Sequence, residues 1–298
     1  MSFHYRLWIF IPSIILILFT FSCQPSSKQA EDTAFRLITH NVYYGFTKKP
    51  ERKENWLAWM KAQTPDIVCL QELNEYTPEQ LQQDATSWGH SYSVLLKENG
   101  FPTGITSRFP MEDIVRTEEG FHHGLIRVKI RDMYLYCIHL HPSNWEFRIR
   151  ETQKILADIA TLPSGAPVML AGDFNTFSSH DSVYYSHGLL EPFFAGLDSA
   201  NTQAKNLREG KLDYTPLTLL EAAGFTDMEN SFRGEGYTFT GSFPGLLVKD
   251  ENHGARRRLD YVFVNDVLRP RVHRAEIIAD GTTEILSDHL PVVVDVRE

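Results

Sequence analysis

The chain has 298 residues, of which 42% are hydrophobic and 22% charged, enough apolar content to close a core in one large domain or two small ones. Its 29 Lys and Arg against 38 Asp and Glu leave a formal charge of −9, which argues against a basic nucleic-acid clamp but not against a nuclease whose positive charge comes from a metal ion. Three cysteines exclude a disulfide framework, so an ordinary packed core must stabilise the fold.

In chain order, the first segment reads as an address rather than as structure. Arg6 precedes an apolar run from Leu7 to Phe21, and Ser22-Cys23 follows. The pattern reads as a secretory signal over residues 1–22, with a run too short for a bilayer-spanning helix of roughly 20 apolar residues. Cys23 at the cut, followed by polar Gln24 to Lys28, resembles a bacterial lipoprotein signal, although Thr20 stands where Leu is preferred. The expected product is a lipidated Cys23 on a flexible linker over 23–33, at the outer membrane or in the periplasm. Plain secretion is the alternative. Removing residues 1–22 takes away Arg6 and no acidic residue, so −9 becomes −10.

The folded domain is expected over 34–298. Strands are read at Phe35 to Val42, Asp66 to Gln71, Tyr92 to Leu96, Leu125 to Ile130, Tyr134 to His139, Val168 to Ala171, Leu259 to Val264, Val272 to Ile278 and Pro291 to Val296. Helices are expected around Trp56, Leu57, Trp59 and Met60, which share one helical face, and from the capping pattern Thr77-Pro78-Glu79-Gln80. Ser143-Asn144-Trp145-Glu146 repeats the capping logic ahead of a helix through Ile149, Leu156 and Ile159. Ser179 to Tyr214 lacks clear periodicity and reads as a long loop or insertion that shapes a substrate site.

Polar residues recur where strands end. Asn41 follows the first strand and Glu72 the second, and His139 ends a later one. Gly172-Asp173-Phe174-Asn175, Asp260 and Ser287-Asp288-His289-Leu290-Pro291 complete the series. Each placement alone is ordinary turn chemistry, but six of them on strand rims point to one site.

With these segments, and with Gly104-Ile105-Thr106-Ser107-Arg108-Phe109-Pro110 and Arg258-Leu259-Asp260-Tyr261 in the same order, the chain resembles the endonuclease/exonuclease/phosphatase superfamily from Phe35 to its C-terminus. That superfamily includes pancreatic deoxyribonuclease, abasic-site endonucleases, inositol-polyphosphate 5-phosphatases and bacterial sphingomyelinases. The resemblance implies an α+β fold of two packed mixed β-sheets, a deoxyribonuclease-like β-sandwich flanked by helices, with the active site at one rim. It also implies a monomeric Mg²⁺-dependent (or Mn²⁺-dependent) hydrolase of phosphate esters. Glu72 would hold the metal, with Asn41 and Asp288 completing or orienting its shell. Asp173 would align or deprotonate the attacking water, Asn175 would hold phosphate or water, and His289 would contact phosphate with Asp260 fixing its tautomer. His139 would be the second histidine, stabilising the phosphate or protonating the leaving oxygen.

Other assignments compete at several positions. Asn41 also reads as a strand-end cap. His139 and His141 alternate as zinc-binding pairs do, although Pro142 ends the strand there. His122-His123 reads as edge-strand polarity or as a substrate rim. Arg256-Arg257-Arg258 reads as a solvated charge run, and Cys69 and Cys137 as buried free thiols with a disulfide left open. Nucleic-acid diesters, lipid or sphingolipid diesters and small phosphomonoesters all remain as substrates. A non-catalytic surface lipoprotein that keeps the sandwich as a binding module is the contrasting class.

Overall fold

The computed structural model describes residues 1, 2, 4, 33–185 and 187–297. The signal segment 1–22 and the linker 23–33 with Cys23 fall almost wholly outside these residues. Among the described residues no helix is long and apolar enough to cross a membrane.

The described residues form twelve strands: β1 Thr33–Asn41, β2 Ile67–Gln71, β3 Tyr92–Leu95, β4 Gly104–Ser107, β5 Met111–Thr117, β6 Leu125–Ile130, β7 Met133–His139, β8 Val168–Asp173, β9 Phe225–Asp227, β10 Asp260–Asn265, β11 Val272–Ile277 and β12 Val292–Arg297. The helices are α1 Lys53–Gln63, α2 Pro78–Ser87, α3 Trp145–Ile159, α4 Ser182–Tyr185, α5 Leu190–Ala200, α6 Thr215–Ala222 and α7 Met228–Ser231. The strands form two six-stranded sheets, ordered β11-β12-β1-β2-β4-β3 and β5-β6-β7-β8-β10-β9. This is the mixed α+β sandwich the resemblance implies.

Each sheet has one parallel pair near its centre, β1 with β2 and β7 with β8, and antiparallel neighbours on both sides. Parallel neighbours end on the same side. Asn41 therefore lies opposite Gln71, just before Glu72, and His139 lies opposite Asp173. β10 runs antiparallel to β8 and starts where β8 ends, which sets Asp260 opposite Asp173.

These central strands are apolar on both faces, as strands buried on both sides must be. In β1, Phe35 and Leu37 face the inter-sheet core while Ile38 joins the cluster holding Trp56, Met60 and Leu81. In β8, Met169 and Ala171 face the core while Val168 and Leu170 pack with Ile155 and Leu217. Cys69 and Cys137 are free, buried thiols of this core.

Helix α2 starts as the capping pattern predicts, with Gln80 N donating to Thr77 Oγ1 at 3.3 Å and Thr77 N to Gln80 Oε1 at 2.9 Å. Helix α3 begins one residue later than the box centred on Ser143 implies: Asn144 is the cap, accepting from Phe147 N at 3.1 Å. The segment Ser179 to Tyr214 is not a loop throughout, because α4 and α5 lie in it.

The expected solvated run at Arg256 to Arg258 is corrected. Arg256 is exposed, as expected, and pairs with Glu284, while Arg257 and Arg258 are buried. Arg258 bonds Asp181 at 2.7 Å, Asp227 at 2.6 Å and Glu229 at 2.9 Å, so its charge is neutralised inside the protein.

Candidate active site

The rim residues gather by separate local devices. Gly172 has φ 147°, and a Cβ there would stand 2.0 Å from the Ile138 carbonyl oxygen, so only glycine lets β8 close on β7 just before Asp173. The next turn holds the carboxylate: Asn175 N donates to Asp173 Oδ1 at 2.9 Å, with Asn175 itself left-handed at φ 48°. Asn175 Nδ2 donates to Leu140 O at 3.1 Å and ties the two parallel strand ends together.

Asn41 does what a strand-end cap does and more. Its Oδ1 accepts from Tyr43 N at 3.0 Å, and its Nδ2 donates to Glu72 Oε1 at 3.2 Å and to Asp173 Oδ2 at 3.1 Å. It therefore positions carboxylates that belong to different sheets. Glu72, left-handed at φ 59°, also accepts from Tyr44 N at 2.9 Å. Ser287 Oγ donates to Asn41 O at 2.6 Å and fastens the segment carrying Asp288 and His289 to the end of β1.

His289 Nδ1 lies 2.8 Å from Asp260 Oδ2, the carboxylate–histidine pair the resemblance implies. Asp260 is held in turn by Ser242 Oγ, which accepts from Asp260 N at 3.1 Å and Leu259 N at 2.9 Å. The Nε2 atoms of His289 and His139 stand 3.8 Å and 3.7 Å from Asp173 Oδ2. Both separations exceed a hydrogen bond, so the two imidazoles and the carboxylate face a common point rather than pairing with one another.

Burial pushes the Asp173 carboxyl up to about 7, assisted by Asp260 and opposed by His289. Burial opposes the charged form of His289, but Asp260, Asp173 and Asp288 outweigh it and raise its pKa to about 10. Burial, with His123 and His289 nearby, lowers His139 well below the usual histidine range. The site thus presents a carboxyl poised to exchange a proton near neutrality, an imidazolium and a neutral imidazole.

Glu72 and Asp288 also line this cleft, and burial raises both carboxyls, with Asp288 adding repulsion to Glu72. Among the described residues no lysine or arginine ion pair relieves either of them. Two crowded carboxylates with no lysine or arginine ion pair, relieved only through space by the His289 imidazolium and, for Asp288, by His253 and Arg52, are a donor set that fits a hard divalent ion with oxygen ligands. The tightest group of potential ligand atoms among the described residues is a different one, Asp173, Asp260 and His289, all within 4.8 Å. Its histidine is already bonded to Asp260.

The zinc pattern fails on geometry. His139 faces Asp173, whereas His141 lies beyond the end of β7, accepts from Ser143 N at 3.1 Å through Nδ1 and packs on His122 with centroids 4.0 Å apart. His122 and His123 are not edge-strand residues. They precede β6 and line the cleft, with the His123 ring stacked on His139 at 3.8 Å.

The cleft has a volume of about 630 Å³. Tyr43, Tyr44, Phe101, Phe193 and Leu197 of α5, and Phe243 are among its walls. None of these residues was legible individually, although Phe193 and Leu197 lie in the Ser179–Tyr214 segment expected to shape a substrate site. Arg52 was missed too. Its buried guanidinium donates to Val42 O and Tyr43 O, each at 2.6 Å, and to Leu286 O, joining the loops that follow β1 and precede β12.

A mixed double sheet with carboxylates and histidines gathered at one rim is the architecture of hydrolases that cleave phosphate esters with a divalent metal, and the protein is an enzyme of that class. Within it, the chain belongs to the Endonuclease/Exonuclease/phosphatase family, whose profile matches residues 38–289. It is similar to an exodeoxyribonuclease of Bacillus subtilis, 24% identical over 86% of this chain and 97% of that one. It is 23% identical to the DNA repair nuclease APEX1 of Danio rerio over 81% of this chain and 76% of that one. Among solved structures, an AP endonuclease from Archaeoglobus fulgidus superposes with a TM-score of 0.60 at 16% identity, covering 88% of this chain and 99% of that one. A 3' phosphatase, NExo, from Neisseria gives 0.60 at 16% identity over 89% and 100%. At that identity the two structures speak for the fold alone.

Proposed function

We propose that the protein is a Mg²⁺- or Mn²⁺-dependent phosphodiesterase of the cell envelope, carried by a catalytic domain over 34–298. The observation that carries the reaction is the convergence of His139, His289 and Asn41 on Asp173 Oδ2 at the floor of the cleft. Asp173 takes the proton of the attacking water. His289, held charged by Asp260, and His139 donate from Nε2 to the phosphoryl oxygens as negative charge grows on them, and Asn175 holds the turn that aims Asp173. Glu72 and Asp288, with Asn41 orienting Glu72, are the residues to hold a divalent cation, which when bound neutralises phosphoryl charge. Nuclease names among the similar sequences support an ester of a nucleotide over a lipid. The complete set of polar groups supports an enzyme over a binding module.

Exhaustive chelation is expected to abolish release of p-nitrophenol from bis(p-nitrophenyl) phosphate, and Mg²⁺ or Mn²⁺ to restore it. Glu72→Gln should fold normally by circular dichroism and need at least about tenfold more metal for half-maximal activity. Full activity in excess EDTA would sink the metal assignment. A screen of plasmid DNA, RNA, phospholipids and sugar phosphates then separates the substrate classes.

The envelope location rests on Cys23 standing at the cut of a short apolar signal. Cys23→Ser is expected to move the protein from the membrane fraction to the soluble one. Retention in the membrane fraction would instead make the apolar segment itself the anchor.

A further inference from the structure

Four arginines among the described residues are buried almost completely: Arg258 at 0% exposure, Arg148 at 2%, Arg52 at 4% and Arg257 at 6%, and Arg52 is spent on the carbonyls of Val42, Tyr43 and Leu286. Arg258 shows how the fold buries such a group for structure, with three carboxylates bonded to its guanidinium. Arg148 and Arg257 have no carboxylate within ion-pair distance among the described residues. Arg148 Nη1 donates to His141 O at 3.1 Å, and Arg257 Nη1 donates to His253 O at 2.7 Å and Ala255 O at 3.0 Å. The Nε of each has no hydrogen-bond partner. The Arg257 guanidinium is otherwise faced by the rings of Phe193, Phe194 and Phe243, 5.7, 5.1 and 4.6 Å from their centroids.

The carboxylates that act on Arg148 through space, Asp213, Glu151, Asp173 and Asp198, all accept from other donors, Asp173 from Asn41 Nδ2 and Asn175 N. Glu151 accepts from His122 N and His141 N, Asp213 from Thr215 N and Oγ1, and Asp198 from Asn206 and Leu207. Both arginines line one small cavity of about 30 Å³, between Asn175, Asn206 and Leu259. Arg257, Asn175, Asn206 and Leu259 also line the catalytic cleft, so the two spaces are continuous. Burial lowers both guanidinium groups to about 10, which leaves them charged at neutral pH.

We propose that Arg148 and Arg257 form a second anion subsite beside the catalytic centre, selecting phosphate diesters that carry a further phosphate one substituent away from the scissile one. A buried charge that carboxylates act on only from beyond ion-pair distance is costly, and an anion in direct contact relieves that cost. Two guanidinium groups offering free N–H donors match phosphoryl oxygens in both charge and geometry. A water needs roughly 10–15 Å³ of such space, so the cavity admits about two oxygens, and the phosphate enters it edge-on from the cleft.

This inference rests on the phosphodiesterase reading, and the experiment separates the two. Two chromogenic substrates differ only in the second phosphate: thymidine 5'-(p-nitrophenyl phosphate) and the same ester bearing a 3'-phosphate. Wild-type kcat/KM is expected to favour the 3'-phosphorylated ester by about tenfold or more, and in Arg257→Lys and Arg148→Lys that preference should fall to within about twofold of unity. A third ester, 2-phosphoethyl p-nitrophenyl phosphate, keeps the second phosphate and drops the nucleoside. Preference for it as well assigns recognition to the phosphate alone, and preference confined to the nucleoside ester assigns the next phosphate of a nucleotide chain. Independently of turnover, inorganic pyrophosphate in EDTA should raise the wild-type melting temperature by about 2 °C or more, a shift lost in both lysine variants.

Preference and stabilisation that persist undiminished in both folded variants overturn the subsite. Hydrolysis of both thymidine esters at equal kcat/KM without pyrophosphate stabilisation also overturns it and leaves the phosphodiesterase reading standing. Pyrophosphate stabilisation that depends on the arginines, with no hydrolysis of any ester, keeps the subsite and rejects the phosphodiesterase.

Discussion

Asp173→Asn is expected to lower turnover by about a hundredfold or more, the scale of losing a positioned base in a buried site. Asparagine keeps the shape of the side chain and can still accept from Asn175 N, but it cannot take a proton from water. It also leaves His289 Nε2 facing a neutral amide rather than a carboxylate at 3.8 Å. His289→Ala should cost a similar factor, because the Asp260 carboxylate then has no imidazole to hold. The two residues act on one phosphate, so the double variant should be little worse than either single one. The melting temperature should change little, since the relief of a buried carboxylate is offset by loss of the bond that Asp173 Oδ2 accepts from Asn41 Nδ2 at 3.1 Å and of the charge facing His289. Two well-folded single variants with near-normal turnover on the phosphate ester found by the screen would refute the assignment and revive the binding-module reading.

Arg258→Met is expected to destabilise the domain by about 3–5 kcal/mol, measured by denaturant unfolding of the metal-free protein. The methionine fills similar volume but leaves Asp181, Asp227 and Glu229 buried together, with Arg233 their remaining cationic partner. Asp227 is also the N-cap of α7, accepting from Asn230 N, so the lesion reaches the β9–α7 junction. Activity of the fraction still folded should fall far less than stability, because Arg258 points away from the cleft into this cluster. A loss below about 1 kcal/mol would mean that the cluster relaxes to admit water and that its burial is not structural.

Much of the site was visible along the chain because a polar residue ending an apolar run is a local signal. Asn41, Glu72, His139, Asp173 and Asp260 each adjoin such a run, and the parallel pairs β1–β2 and β7–β8 carry their ends to one rim. Strands were missed where that contrast is weak. β5 is half-exposed, reads Met-Glu-Asp-Ile-Val-Arg-Thr and carries a register shift between Glu112 and Val115, so no alternation survives. β9 is three residues long, too short for any period. Helix α5 escaped notice because Pro192 and Gly196 interrupt it, and its apolar residues divide between the domain and the cleft wall.

The sequence by itself determined the order of the main strands, the capped start of α2, and the residue types that meet at the rim, since these depend on neighbours a few positions apart. It could not determine the environment of a charge. Arg256, Arg257 and Arg258 are indistinguishable as a run, yet one pairs at the surface with Glu284, one lies buried against three phenylalanine rings, and one is neutralised by Asp181 from 77 residues away and Asp227 from 31. Tertiary structure decided this, because the free energy of a buried charge depends on which distant groups surround it, and chain spacing carries no information about that.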